Sequence, residues 1–133
     1  LHSFPTRRSS DLKALSKAPN NDFILFLLGK AAYLCKDYEN AKLYLVKAYE
    51  LVQSDETENV LALCYFNLGN FIQANQLFLK LLQNAPKNTM LLLNSAKCYE
   101  QIGDSDKALE QLEKAVEIFP DFEEAHEMIR KLS

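Results

Sequence analysis

The sequence has few residues that make turns, no tryptophan and no long apolar run. Its 133 residues include only 3 glycines and 4 prolines, which is about 5% of the chain against roughly 12% in average proteins. This scarcity disfavours a β-rich fold, because sheets need frequent turns. The best apolar stretch, residues 23–35, contains Lys30 and is shorter than the ~18 residues of a membrane span. We therefore expect no membrane span.

Charge and chemistry-bearing side chains are also scarce. The net charge of −3 provides no basic surface for nucleic acid, so no nucleic-acid partner is expected. The three cysteines form no C-x-x-C pair, and His126 is the only histidine after residue 12. We therefore expect no metal, no cofactor, no catalytic residue and no enzyme activity. Cys64 and Cys98 are interpreted as small packing residues of a reducing compartment, which favours a cytoplasmic location.

The chain does contain an internal repeat. Turn-forming, small and aromatic residues recur at intervals of 33 or 34 positions, and a repeat of this length indicates a stack of similar units. The recurring residues include Gly69 and Gly103, Pro86 and Pro120, Tyr65 and Tyr99, and Ala41, Ala74 and Ala108.

Each period contains two amphipathic segments with 3.6-residue spacing. The first segments span 22–36, 55–68 and 89–102, and the second segments span 38–52, 71–84 and 105–118. Gly69 and Gly103 follow first helices, where a left-handed residue reverses the chain, and Gly29 is small enough for two helices to approach closely. The sequence therefore predicts an all-α stack of antiparallel helix pairs.

At these residues the sequence resembles the tetratricopeptide repeat family, whose period is 34 residues. The resemblance implies a right-handed superhelical solenoid with repeats at 22–54, 55–88 and 89–122. The first repeat has Lys36 where glycine is usual and Gln53 where proline is usual. The tryptophan common near the start of a repeat is replaced in the three repeats by Leu25, Glu58 and Leu92.

The two ends differ from the repeats. Residues 1–12, LHSFPTRRSSDL, match translated sequencing-adapter DNA at every position, so we expect a non-native, disordered segment. Residues 13–21 match the end of a second helix, which predicts a chain truncated at its N-terminus. Residues 123–133 are predicted to form either a capping helix or the start of a fourth repeat. At the start of this helix Asp121 and Glu124 would make a capping box, and within it Glu127 would pair with Lys131.

The resemblance implies that first helices line a concave groove that binds a peptide or helix of another protein. Phe23 and Phe26 have an alternative role, which is packing against a lost preceding repeat. The candidate groove residues are Phe23, Phe26, Lys30, Tyr33, Asn59, Leu63, Phe66, Asn67, Met90, Leu93, Lys97, Glu100 and Gln101.

We predict a non-enzymatic scaffold. One subfamily clamps acidic chaperone tails with basic and amide side chains, and the matching positions argue against that function, because only Lys30 could pair with a carboxylate. The other positions are Phe26, Val60, Met90 and Asn94. Two alternatives are the repeat arm of a larger enzyme, such as a glycosyltransferase, and an envelope or secretion assembly factor.

Overall fold

The computed structural model describes residues 20–133. In this range there are seven α-helices and no strands. The helices are α1 (Asp22–Leu34), α2 (Tyr38–Leu51), α3 (Asp55–Asn67), α4 (Phe71–Asn84), α5 (Thr89–Ile102), α6 (Ser105–Ile118) and α7 (Glu123–Leu132). The all-α prediction is confirmed, and the six helices predicted from the repeat agree with α1–α6 to within two residues at each end.

Two predicted segments lie mostly outside the described residues. The adapter-like segment 1–12 is entirely outside them, and of segment 13–21 only Asn20 and Asn21 are described. Asn21 is the N-cap of α1, and its side-chain oxygen accepts a hydrogen bond from the backbone nitrogen of Ile24 at 3.0 Å. Such a cap satisfies one of the free donors of the first helical turn.

The described part of the chain divides into two compact units, residues 20–64 and Tyr65–Ser133. In the first unit α1 packs against α2, and the connection between them is short enough to make the two helices antiparallel. The close approach depends on Gly29, because a Cβ there would lie 2.5 Å from Cγ of Leu45. The role predicted for Gly29 is confirmed.

Three residues that end first helices have a left-handed backbone. Gly69 has φ 83° and Gly103 has φ 99°, which confirms their predicted role as helix-ending turns. Lys36 occupies the same region with φ 64°. Because a side chain destabilises this conformation, Lys36 carries backbone strain that the two glycines avoid.

In the second unit α4 packs against α5, α5 against α6, and α6 against α7. Ala74 and Ala108 are fully buried near the starts of α4 and α6. The core also contains hydrogen-bonded polar side chains from three helices, which were not predicted from the sequence. The Ser95 hydroxyl donates to Oδ1 of Asn75 at 2.7 Å, and Nε2 of Gln111 donates to the Ser95 hydroxyl at 3.1 Å.

The last helix begins at Glu123, but its N-cap differs from the one that the sequence predicts. Its N-cap is Phe122, which makes no side-chain capping hydrogen bond, so the predicted capping box of Asp121 and Glu124 is wrong. Phe122 is buried and stacks on Phe119 with ring centroids 5.4 Å apart. With Phe122 as N-cap, Glu124 is the second helical residue, whereas a capping box needs its glutamate at the third.

Candidate functional site

In the first unit, α1 presents two of the predicted groove residues to solvent. Phe23 is 63% exposed, and Lys30 is exposed with its Nζ 6.0 Å from the centre of the Phe26 ring. Phe26 itself is half-buried and packs against the core cluster that contains Leu25 and Tyr44. The ring of Phe26 is thus held by the core, while the Phe23 ring and the Lys30 ammonium are available for contact.

Tyr33, Asn59 and Leu63 are half-buried. The Tyr33 ring meets the Tyr38 ring edge-on with centroids 5.7 Å apart. Burial raises the pKa of Tyr33 above its ordinary value, and the neighbouring Tyr38 and Cys64 raise it further. The Tyr33 hydroxyl therefore stays protonated at neutral pH and can donate a hydrogen bond.

In the second unit, four predicted residues line one open pocket of about 310 Å³. They are Phe66, Lys97, Glu100 and Gln101. Phe66 is half-buried, and its ring meets the Phe71 ring edge-on at 5.1 Å. The pocket thus combines an aromatic side chain with cationic, anionic and amide groups.

The remaining wall of this pocket comes from α7, which sequence analysis did not include in the site. It contributes Glu124, Glu127, Met128 and Lys131. The signal was present, because positions 124, 127 and 131 are charged at the i, i+3, i+7 spacing of one helical face. From the sequence, these positions were assigned only to a capping helix or to the start of a fourth repeat, with Glu127 pairing with Lys131.

Two ion pairs join α5 to α7 at the pocket. Nζ of Lys97 is 2.9 Å from Oε2 of Glu124, and Nζ of Lys131 is 3.1 Å from Oε2 of Glu100. The predicted pairing of Lys131 with Glu127 is therefore wrong. Lys131 reaches across to Glu100 because α7 lies beside α5, a tertiary contact that the spacing within α7 does not reveal.

Leu93 was a candidate groove residue, but its side chain is fully buried. The physical reason is that α5 packs against both α4 and α6, so only a narrow band of the helix is left uncovered. Met90, 53% exposed, and Gln101 lie on that band. Leu93 therefore belongs to the core rather than to a surface that a partner could contact. Asn67 is exposed near the end of α3.

The described part of the chain holds no group of three or more His, Cys, Asp or Glu side chains that could bind a metal ion. Nε2 of His126 donates to the carbonyl oxygen of Pro120 at 2.7 Å. Burial raises the pKa of Cys64 and of Cys98 to about 12, so both thiols stay protonated and unreactive at neutral pH. Between residues 20 and 133, no helix is long and apolar enough to cross a membrane.

Comparison with protein families gives two matches, both described as tetratricopeptide repeat. One model matches residues 65–132, which is about half of the chain, and a second matches residues 24–54. Comparison with curated protein sequences found no match.

Several solved structures share this fold. MamA 41-end from Desulfovibrio magneticus RS-1 is 18% identical with a TM-score of 0.82, over 96% of this chain and 76% of that one. YrrB, described as a TPR protein with an unusual peptide-binding site, is 26% identical with a TM-score of 0.80, over 92% of this chain and 63% of that one. The first TPR of Spaghetti (RPAP3), bound to the HSP90 peptide SRMEEVD, is 18% identical with a TM-score of 0.76, over 84% of this chain and 89% of that one.

Proposed function

Because this chain belongs to the tetratricopeptide repeat family, we propose that it is a protein-interaction scaffold without catalytic activity. Its repeats at 22–54, 55–88 and 89–122 present their first helices to a peptide or helix of a partner protein. The net charge of −3 favours a protein partner over a nucleic acid, whose phosphates require a basic surface.

The observation that carries this proposal is the pocket beside Phe66. It places an aromatic ring next to the ammonium group of Lys97 and the amide of Gln101. Peptide recognition commonly combines an apolar anchor with polar groups that fix its orientation. A pocket of about 310 Å³ is at the lower end of the ~300–1,000 Å³ range of ligand pockets, which suits one anchoring side chain.

Two relatives support a partner of this type. The Spaghetti (RPAP3) domain is bound to a peptide, and YrrB is described as having a peptide-binding site. In the first unit, the exposed Phe23 ring and the Lys30 ammonium on α1 are proposed to contact the partner as well.

We propose the cytoplasm as the compartment in which the scaffold acts. The cysteines Cys35, Cys64 and Cys98 are all free, and free thiols are typical of proteins kept in a reducing environment. Imaging of a tagged full-length protein would test this, and a periplasmic or secreted location would contradict it.

The binding proposal can be tested by selecting displayed random 12-residue peptides on the full 133-residue chain. The affinity of a recovered peptide is then measured by fluorescence anisotropy for the wild type and for single variants. We expect Phe66→Ala to weaken binding at least tenfold and Gln101→Ala to weaken it about threefold.

Ile72→Ala is the matched control, because Ile72 is 60% exposed on the second helix α4. It should leave the affinity within about twofold of the wild type. Circular dichroism checks that each variant is folded, and Gln101→Ala provides a folded variant if Phe66→Ala lowers stability. Peptides that bind both site variants as tightly as the wild type, and lose affinity for Ile72→Ala, would place binding on the second helices and refute the proposal.

A further inference from the structure

The pocket formed by Phe66, α5 and α7 has unequal numbers of positive and negative side chains. Two ammonium groups, of Lys97 and Lys131, face three carboxylates. The two ion pairs with Glu124 and Glu100 use both ammonium groups. Within residues 20–133, Glu127 makes no ion pair, so the pocket carries one net negative charge.

Apolar surface lies beside these carboxylates. The ring of Phe66 is half-buried, and Met128 is 8% exposed. A long side chain with a cationic tip matches this combination, since its stem can cover apolar surface while its charge reaches a carboxylate. A guanidinium also stacks on an aromatic face and donates two parallel hydrogen bonds to one carboxylate.

We propose that this pocket binds an arginine side chain of the partner segment. The guanidinium pairs with the Glu127 carboxylate, and the stem lies against Phe66 and Met128. This inference rests on the proposed function, and it extends that function by naming the chemistry of the partner and by making α7 a wall of the site.

The same charges disfavour an acidic partner at this pocket. A carboxylate ligand would have to displace Glu124 from Lys97 or Glu100 from Lys131. It would also be placed near Glu127, which has no compensating cation among the described residues. Glu124 is 51% exposed and Lys131 is 70% exposed, so both can move to admit a cationic guest without a large desolvation cost.

The test uses three synthetic peptides with blocked ends and the full chain labelled with ¹⁵N. The first is Gly-Leu-Arg-Leu-Gly, the second replaces arginine by citrulline, and the third replaces it by glutamate. Citrulline has nearly the same shape as arginine but no charge. Comparing the arginine and citrulline peptides therefore isolates the electrostatic contribution to the binding affinity. Amide chemical-shift changes at Phe66, Lys97 and Glu127 report binding in the pocket.

We expect the arginine peptide to bind three- to tenfold more tightly than the citrulline peptide, and the glutamate peptide to bind more weakly than both. Glu127→Gln should reduce the affinity for the arginine peptide to about that of the citrulline peptide. It should leave the affinity for the citrulline peptide unchanged. The control Glu117→Gln removes the same charge from an exposed position of α6 outside the pocket, and we expect less than a twofold effect.

Two outcomes overturn the inference and differ in what they imply for the proposed function. Equal binding of arginine and citrulline peptides, lost in Phe66→Ala, would show an apolar anchor site without charge selection and would leave the proposed function intact. If none of the three peptides changes the amide chemical shifts of the pocket residues, arginine recognition at this site is refuted. The library selection described above then tests the proposed function independently.

Discussion

Gly29→Ala tests the packing of α1 against α2, because two known effects of this substitution oppose each other. Replacing a glycine inside a helix by alanine normally stabilises the folded state by about 0.5–1 kcal/mol. At Gly29 the added Cβ would lie 2.5 Å from Cγ and 2.7 Å from Cδ2 of Leu45. Carbon atoms in contact prefer separations of about 3.5–4.0 Å, so the helices or the leucine must move by about 1 Å.

Leu45 has little freedom to make that movement. Its side chain is fully buried, as is Ala41 one turn earlier on α2. Overpacking of a buried contact usually costs about 1–3 kcal/mol. This cost exceeds the helix-propensity gain, and we expect Gly29→Ala to lower the free energy of unfolding by about 1 kcal/mol, with an upper limit near 2 kcal/mol.

The measurement is urea unfolding followed by far-ultraviolet circular dichroism, since the chain has no tryptophan. Ala31→Gly is the control, because Ala31 is exposed on the same helix and should show the propensity effect alone, a loss of about 0.5–1 kcal/mol. A Leu45→Ala background removes the Cγ and Cδ2 atoms that the new Cβ would meet. In that background Gly29→Ala should stabilise the protein by about 0.5 kcal/mol. A stabilising effect of Gly29→Ala in the wild-type background would refute the packing argument.

Two further substitutions and one change of pH should alter the stability of the protein. Lys36→Gly should stabilise the protein by up to about 1 kcal/mol in urea unfolding, because it removes a side chain from a left-handed residue with φ 64°. Ser95→Ala should lower the free energy of unfolding by about 1–3 kcal/mol, because it leaves two buried amide side chains each without a hydrogen-bond partner. Raising the pH from 8 to 10 should destabilise the protein by about 1 kcal/mol per buried thiol. The reason is that the pKa values of Cys64 and Cys98 are raised to about 12 in the folded protein and are near 9.0 in the unfolded chain.

Each of these predictions has a control. For Lys36→Gly the control is Gly103→Ala, which introduces a side chain at an equivalent left-handed position and should destabilise the protein. A loss of stability in Lys36→Gly would contradict the strain argument. Ser105→Ala at an exposed position should change the free energy of unfolding by less than about 0.5 kcal/mol. An equally small effect of Ser95→Ala would show that the buried hydrogen bonds of Ser95 contribute little to stability. Replacing both buried cysteines by alanine should remove most of the loss between pH 8 and 10; an unchanged loss would exclude the thiols as its cause.

The helices were predictable from the sequence because their signals are local. The 34-residue period, the 3.6-residue apolar spacing and the glycines at positions 69 and 103 all act within one helix pair, and α1–α6 lie where they predict. The start of α7 was not predictable from its capping pattern, because the burial of Phe122 selects the N-cap.

The candidate site was only partly predictable because it depends on contacts between distant residues. Phe66, Lys97 and the neighbouring polar residues were found from their positions on first helices. The burial of Leu93 results from helices packed on both sides of α5. The contribution of α7 depends on the ion pair between Lys97 and Glu124, which are far apart in sequence.

Whether a partner peptide binds to the first helices is best decided by an amide chemical-shift map of the ¹⁵N-labelled chain with a peptide recovered from the display selection. We expect the largest changes on the first helices α1, α3 and α5 and on the pocket-facing residues of α7, with Phe66 and Lys97 among them. Changes concentrated on the second helices α2, α4 and α6 would contradict this expectation.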